Sequence, residues 1–270
     1  MKKLTLFIIL FFLFCKFISF AQIKLCSWNI QNFGKSKTDS NIQFIANTIK
    51  GYDVVAIIEV VAGLGGSQAV AKLADELNRK GSKWDYSISD ATTGSPSKSE
   101  RYAFLWKTSN IKKIGSAFLE KNHQTEIERE PYLASFSSRN KEFAVAAFHA
   151  LPKNKQPEKE IKYLQFIPSE YSSKNIIFCG DFNCPESNSV FNPLKISGYK
   201  SAFTKQKTSL KTKCVNNDCL ASEYDNLFYN GTKIKLLKSG VIHFYNQFST
   251  LKEARKISDH LPVYFEFLIF

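Results

Sequence analysis

The chain has 270 residues, 44% of them hydrophobic, and no Gly/Ser/Pro-rich linker or internal repeat divides it, which excludes a repeat array or a string of tethered modules. With 37 Lys and Arg against 24 Asp and Glu, the formal charge of +13 favours a polyanionic partner, nucleic acid or an anionic surface. Charge alone does not choose between those two.

The first residues, "MKKLTLFIILFFLFCKFISFAQ", join two lysines to an apolar stretch and then to Ser19-Phe20-Ala21, the small-x-small form of a secretory cleavage site. Residues 1–21 are expected to be a signal peptide, and residues 22–270 one domain. The apolar stretch is short and interrupted by Lys16, so no stable membrane anchor is expected after cleavage. Phe14 is too bulky to precede a lipidated Cys15. Loss of Lys2, Lys3 and Lys16 leaves 34 basic against 24 acidic residues, a formal +10 on a secreted or periplasmic chain.

"IKLCSWNI" reads as a strand, and Ile42, Ile45, Ala46 and Ile49 recur at helical spacing before Gly51. "YDVVAIIEV" reads as a buried strand. Ser67 is a candidate cap for a helix carrying Val70, Leu73, Ala74 and Leu77, ended by Gly81. Strands are expected at "WDYSIS", "RYAFLWK", "PYLASFS" and "EFAVAAFHA", then a helix around Glu158 to Ile167 and a strand in "NIIFCGDFN". The last strands are expected at "YDNLFYN", "GVIHFYN" and "LPVYFEFLIF". Hairpin-like pairs mixed with crossover helices predict two mixed sheets packed together with helices outside.

Of the cysteines past the signal segment, Cys26 and Cys179 lie in strand-like runs and are expected to be buried thiols. Cys184, Cys214 and Cys219 lie in loop-like sequence and compete for one bridge. "CVNNDC" closing on itself and a tie from either of its cysteines to Cys184 are both open.

Polar groups that a core strand does not need stand at the ends of these runs. Asn29 ends the first and Glu59 the second, Glu100 opens "ERYAFLW", and His149 follows "FAVAAF". Asp181 and Asn183 follow "NIIFCG", Asp225 sits in "EYDNLFY", and Asp259-His260 open the last strand. Any one has a dull explanation as a solvated end or a loop cap; their joint placement is harder to explain that way. Asn29, Glu59, Asp181, Asn183 and Asp259 offer hard oxygens suited to Mg²⁺, Mn²⁺ or Ca²⁺. His149 with Glu100, and His260 with Asp225, are candidate acid/base pairs, because a carboxylate on one ring nitrogen fixes the tautomer and raises the basicity of the other. Arg129 is a candidate phosphate clamp. Phosphodiester hydrolysis needs these parts: water activation, protonation of the leaving oxygen, and cations on the transition-state charge.

"WNIQNFG", "YDVVAIIEV", "SERYAFLWK", "REPYLASF", "FAVAAFHALP", "GDFN", "EYDNLFY" and "SDHLPVYFEF", in this order, resemble the deoxyribonuclease I branch of the endonuclease/exonuclease/phosphatase superfamily. The resemblance implies a four-layer α/β sandwich with a metal-dependent phosphodiesterase site at one edge of two sheets. It implies metal and phosphate roles for Asn29, Glu59, Asp181, Asn183 and Asp259, acid/base roles for His149 and His260 with Glu100 and Asp225 as partners, and a phosphate role for Arg129. Tyr224 matches an aromatic residue beside the second carboxylate. The implied activity is that of a secreted, monomeric, Mg²⁺-type endonuclease acting on DNA with little sequence specificity. A lipid or small-phosphate-ester phosphodiesterase of the same fold and a non-enzymatic basic DNA- or surface-binding protein are the alternatives. The chain departs from that branch at Val61, where a DNA-gripping arginine is expected, and at Lys98, where a groove-probing tyrosine is. It departs also in "TKQKTSLKTK", which has no carboxylate for a structural calcium.

Overall fold

The computed structural model describes residues 22–94 and 99–270; the expected signal peptide, residues 1–21, and Lys98 lie outside them. Strands β1 (Ile23–Phe33), β2 (Val54–Val61), β3 (Trp84–Ile88), β4 (Glu100–Lys107), β13 (Ile234–Val241) and β14 (Val263–Ile269) form one sheet in the order β13-β14-β1-β2-β4-β3. A second sheet, in the order β5-β6-β7-β8-β12-β9, contains β5 (Lys112–Leu119), β6 (Tyr132–Ser138), β7 (Lys141–His149), β8 (Ile176–Asp181), β9 (Tyr199–Ser201) and β12 (Asp225–Asn230). A small hairpin pairs β10 (Leu210–Val215) with β11 (Asp218–Leu220).

In each sheet one central pair is parallel, β1 with β2 and β7 with β8, and its neighbours run antiparallel. Parallel neighbours need crossovers, and helices supply them. Helix α1 (Asp39–Ile49) makes the first, started by Thr38 in a reciprocal cap with Asn41 and burying Ile42, Ile45, Ala46 and Ile49. Helix α2 (Leu64–Asn78) packs beside it through Val70, Leu73, Ala74 and Leu77. The second crossover carries the short helices α3 (Glu158–Ile161) and α4 (Ile167–Glu170); α5 (Asn192–Ile196) and α6 (Leu251–Ile257) come later.

Alternation along the strands sorts the core into layers. Leu25, Val54, Ala56, Ile58 and Phe104 of the first sheet meet Phe136, Val145, Ala147, Ile177 and Cys179 of the second. Between them, Cys26, Trp28, Val55 and Ile57 face α1 and α2, while Ala146, Phe148, Ile176 and Phe178 face the short helices. The result is the expected four-layer α/β sandwich.

Local expectations fail where tertiary contacts override them. Ser67 lies inside α2, whose cap is Gly63. The expected helix 158–167 breaks into α3, a 3₁₀ turn at Lys162–Gln165 and α4. "GVIHFYN" is strand only to Val241, because Phe244 turns off the sheet to pack on Trp28, ring centroids 5.3 Å apart. Strands β5, β9, β10 and β11 and helices α5 and α6 were not expected. The bridge forms within "CVNNDC", Cys214 to Cys219; Cys26, Cys179 and Cys184 are buried free thiols.

Candidate active site

The topology delivers the polar run ends to one edge. Parallel strands β1, β2, β7 and β8 finish there, and their antiparallel neighbours β4, β12 and β14 begin there. Asp181 is thus in register with His149 on one side and Asp225 on the other. Glu59 sits in an irregularity between β2 and both neighbours, with a left-handed φ of 62°, a bulge that re-aims its side chain. Its carboxylate accepts from the Asn29 amide at 3.0 Å and from the backbone N–H of Asn32, itself at φ 52°, at 3.1 Å. The glycine of GDFN is also explained: a Cβ on Gly180 would lie 1.9 Å from the Phe148 carbonyl oxygen, so only glycine lets β8 approach β7 there.

Two carboxylate–imidazole pairs face each other across this edge. His149 Nδ1 lies 2.9 Å from Glu100 Oε1, and His260 Nδ1 lies 2.8 Å from Asp225 Oδ2. Their Nε2 atoms converge on Asp181 Oδ2, at 3.4 and 3.6 Å. Burial, helped by the Arg129 charge, pulls the His149 imidazole down to about 4, and burial pushes the Glu100 carboxyl up to about 7. Burial also opposes protonation of His260, but Asp225 and Asp181 overcome it and hold that imidazole well above its ordinary value. The surroundings therefore push the two rings in opposite directions, His149 toward its neutral form and His260 toward its protonated form.

Arg129 lies against Glu100, Nη1 to Oε2 3.4 Å, and donates through Nη2 to the Ala150 carbonyl. Asn183 donates to that carbonyl at 3.1 Å, and its backbone N–H caps Asp181 Oδ1 at 2.9 Å. Asp259 stands to one side, its Oδ2 held by Gln31 at 3.1 Å and Arg255 at 3.3 Å. The Tyr224 ring lies 6.5 Å from that of His260, nearly parallel to it. Several supporting residues escaped the sequence reading. Thr208, fully buried, donates to Asp225 Oδ2 at 2.7 Å and accepts from the N–H of Asp225 and Tyr224. Ser258 bridges β1 to the His260 turn, donating to the Asn29 carbonyl at 2.7 Å. Lys37 donates to the Lys256 and Ile257 carbonyls, and burial pulls its ammonium down to about 8 against the pull of Asp259 and Glu59. None of these stands at the end of an apolar run, the one signal that marked the others.

The donors suit a hard cation. Asn29 Oδ1 is buried with no hydrogen-bond partner, and the carboxylate of Glu59 lies beside the same amide. Among the described residues no group of three His, Cys, Asp or Glu side chains forms a cage for an ion.

A sequence model described as the endonuclease/exonuclease/phosphatase family matches residues 26–260. The chain belongs to this family. The family match runs from Cys26 in β1 to His260 and so contains every site residue named above. A deoxyribonuclease of Thioalkalivibrio sp. (strain K90mix) is 28% identical over 265 residues, covering 90% of this chain and 70% of its own. Deoxyribonuclease-1 of Bos taurus is 26% identical over 264 residues, 90% of this chain and 91% of its own. These relatives place the chain in the deoxyribonuclease I branch of the family. In fold, a family member from Bacteroides thetaiotaomicron superposes with a TM-score of 0.67 at 16% identity, over 92% of this chain and 98% of its own.

Proposed function

We propose that this protein is a metal-dependent endonuclease that hydrolyses DNA phosphodiester bonds with little sequence specificity. The observation that carries the reading is the convergence of two carboxylate-paired imidazoles on Asp181 Oδ2, beside Asn29, whose amide N–H donates to the Glu59 carboxylate at 3.0 Å and whose buried Oδ1 has no hydrogen-bond partner. The deoxyribonucleases among its relatives support DNA as the substrate. His149 takes the proton of the attacking water at Nε2, while Glu100 holds Nδ1. His260, kept protonated by Asp225, gives a proton to the leaving oxygen. Both Nε2 atoms lie within 3.6 Å of one oxygen, so both rings face the same point of the site. Arg129 and Asn183 grip its non-bridging oxygens. A divalent cation of the Mg²⁺ or Mn²⁺ type would be held by Asn29 Oδ1 and Glu59, with Asp181, Asn183 and Asp259 as further oxygen donors, and would supply positive charge to the transition state.

The mature chain in this reading is residues 22–270, exported and monomeric; no helix of the described residues is long and apolar enough to cross a membrane. The test is nicking of supercoiled plasmid with Mg²⁺ and with EDTA, beside sphingomyelin hydrolysis. Metal-dependent nicking without lipid hydrolysis is expected; the reverse would move the protein to the lipid phosphodiesterases of this fold.

A further inference from the structure

Arg129 lies in the connection between β5 and β6, residues 120–131, where neither helix nor strand fixes the backbone. Buried carboxylates do so instead. Glu120, at its start, accepts from the N–H of Asn122 and His123 at 2.8 and 2.9 Å and from the Tyr171 hydroxyl at 3.1 Å. Glu130, at its end, accepts from the N–H of Thr93 at 3.0 Å and from its hydroxyl. Glu160, in α3 and 2% exposed, accepts from the N–H of Glu128 at 2.6 Å and of Leu151 at 2.8 Å.

The last of these bears on the chemistry. Glu128 immediately precedes Arg129, and Leu151 immediately follows Ala150, whose carbonyl receives both the Arg129 guanidinium and the Asn183 amide. The Ala150 N–H in turn donates to the Asp181 carbonyl at 2.9 Å. A single side chain therefore fixes the root of the arginine and the carbonyl that aims its tip. Simple filling of this space needs no charge, and a buried carboxylate is costly unless its hydrogen bonds do something an apolar side chain cannot.

We propose that Glu160 is a positioning residue for the phosphate grip, acting through Arg129 and Asn183 by way of the Ala150 carbonyl. The proposal rests on the reading of Arg129 as a phosphate-binding group. A displacement of about 1 Å at a reacting centre lowers rates by up to about 10²-fold, so a loosened arginine should register in turnover.

The experiment is a double-mutant cycle of Glu160→Gln with Arg129→Ala, read as kcat and KM on duplex DNA with Mg²⁺, with melting curves to fix the folded fraction. Glu160→Gln is expected to lower kcat about 10- to 100-fold with a smaller change in KM. In the Arg129→Ala background its effect should be several-fold smaller, only the share carried by Asn183 remaining. Multiplicative losses in the double variant, or a lowered Tm with unchanged kcat per folded molecule, would overturn the proposal. If the unmodified protein leaves DNA intact, the functional reading fails separately, and the cycle is read on bis(4-nitrophenyl) phosphate, where the same non-additivity is expected. If Glu160→Gln does not fold, amide exchange in the unmodified protein decides. Protection at Glu128 and Leu151 equal to that of β7 supports the clamp, and exchange at the rate of a solvated loop overturns it.

Discussion

His149 ends β7 of one sheet and His260 lies just ahead of β14 of the other, yet their Nε2 atoms aim at one oxygen, Asp181 Oδ2, from 3.4 and 3.6 Å. The same oxygen accepts from Asn29 at 3.1 Å, so Asp181 is where the two sheets meet chemically. Loss of either ring should remove one proton transfer and leave the sandwich in place. His149→Ala and His260→Ala are each expected to lower the hydrolysis rate at least about 10²-fold. Rates beside circular dichroism spectra check this; a folded variant with near-normal rate would take that histidine out of the mechanism.

The Glu100–His149 dyad should set an acid limb in the pH profile. With burial holding the Glu100 carboxyl up at about 7 and the His149 imidazole down at about 4, the extra proton of this pair resides on the carboxyl below neutrality. In that state the proton points at Nδ1, so Nε2 carries the ring hydrogen and takes none from water. As the pH rises through about 7 the proton leaves, the carboxylate accepts from Nδ1–H, and Nε2 is freed. We expect kcat/KM to rise about tenfold per pH unit below 7 and then level off. A later fall should follow as His260 deprotonates. Glu100→Gln should abolish the acid limb, and a profile flat from pH 5 to 9 in the unmodified protein would rule out this assignment.

The Asn29–Glu59 oxygens give a metal prediction with a readout besides turnover. An ion bound only by the native state raises stability in proportion to the logarithm of its concentration, so Mg²⁺ or Mn²⁺ should raise Tm. Glu59→Gln keeps the shape and removes the charge. Its Tm response should shift to higher metal concentration, and its activity should fall steeply, recovering in part with excess metal. An unaltered Tm response would place the ion elsewhere.

Much of this candidate site was legible because its polar residues fall at or near the ends of apolar runs, where the core does not need them. His149 and Asp181 end β7 and β8, while Asn29 and Glu59 lie near the ends of β1 and β2, which run on to Phe33 and Val61; an apolar run broken by a carboxylate or an imidazole is visible in one dimension. Thr208 and Glu160 were not legible, because their work is done on groups far along the chain: Asp225, 17 residues on, for one, and the N–H of Glu128, 32 residues back, for the other. The bulge at Glu59 left no sign either, since nothing in "IIEVV" asks for a left-handed glutamate. Strand β13 was displaced by several residues because an apolar pattern cannot say that Phe244 belongs to Trp28 and not to a sheet.

The cysteines yield a simple chemical count. Cys26, Cys179 and Cys184 are buried, and burial pushes the thiols of Cys179 and Cys184 up to about 12 and that of Cys26 higher still. Since the thiolate is the reactive form, iodoacetamide at pH 8 should leave the native protein unlabelled. Denaturation without reductant should expose three sites on the chain 22–270, and reduction two more, from Cys214 and Cys219. Mass spectrometry checks this; labelling of Cys214 or Cys219 before reduction would contradict the bridge.

The hairpin of β10 and β11 gives the basic charge a place to act. It is tied to the site, with the Leu210 N–H on the Asp259 carbonyl at 2.7 Å and Ser209 bridged to His260. Lys207 and Lys211 do not stand free upon it: both ammoniums bond Asp218 Oδ2, at 3.0 and 2.8 Å, and together with the Leu220 N–H they hold that carboxyl well below its ordinary value. Such exposed pairs add little stability, so their interest lies in what competes for the lysines. A DNA phosphate would compete with Asp218, and the two changes that bear on this have opposite signs. Lys211→Gln should weaken duplex binding alike on all sequences and flatten the slope of log affinity against log salt by up to about 0.9. Asp218→Asn should free both lysines, strengthen binding and steepen that slope. Binding of a His149→Ala background to several duplexes across a salt series measures both. An unchanged slope in both variants would leave these lysines as solvated hairpin surface, and a flattening in Asp218→Asn would mean that the carboxylate presents the lysines to DNA and does not compete for them.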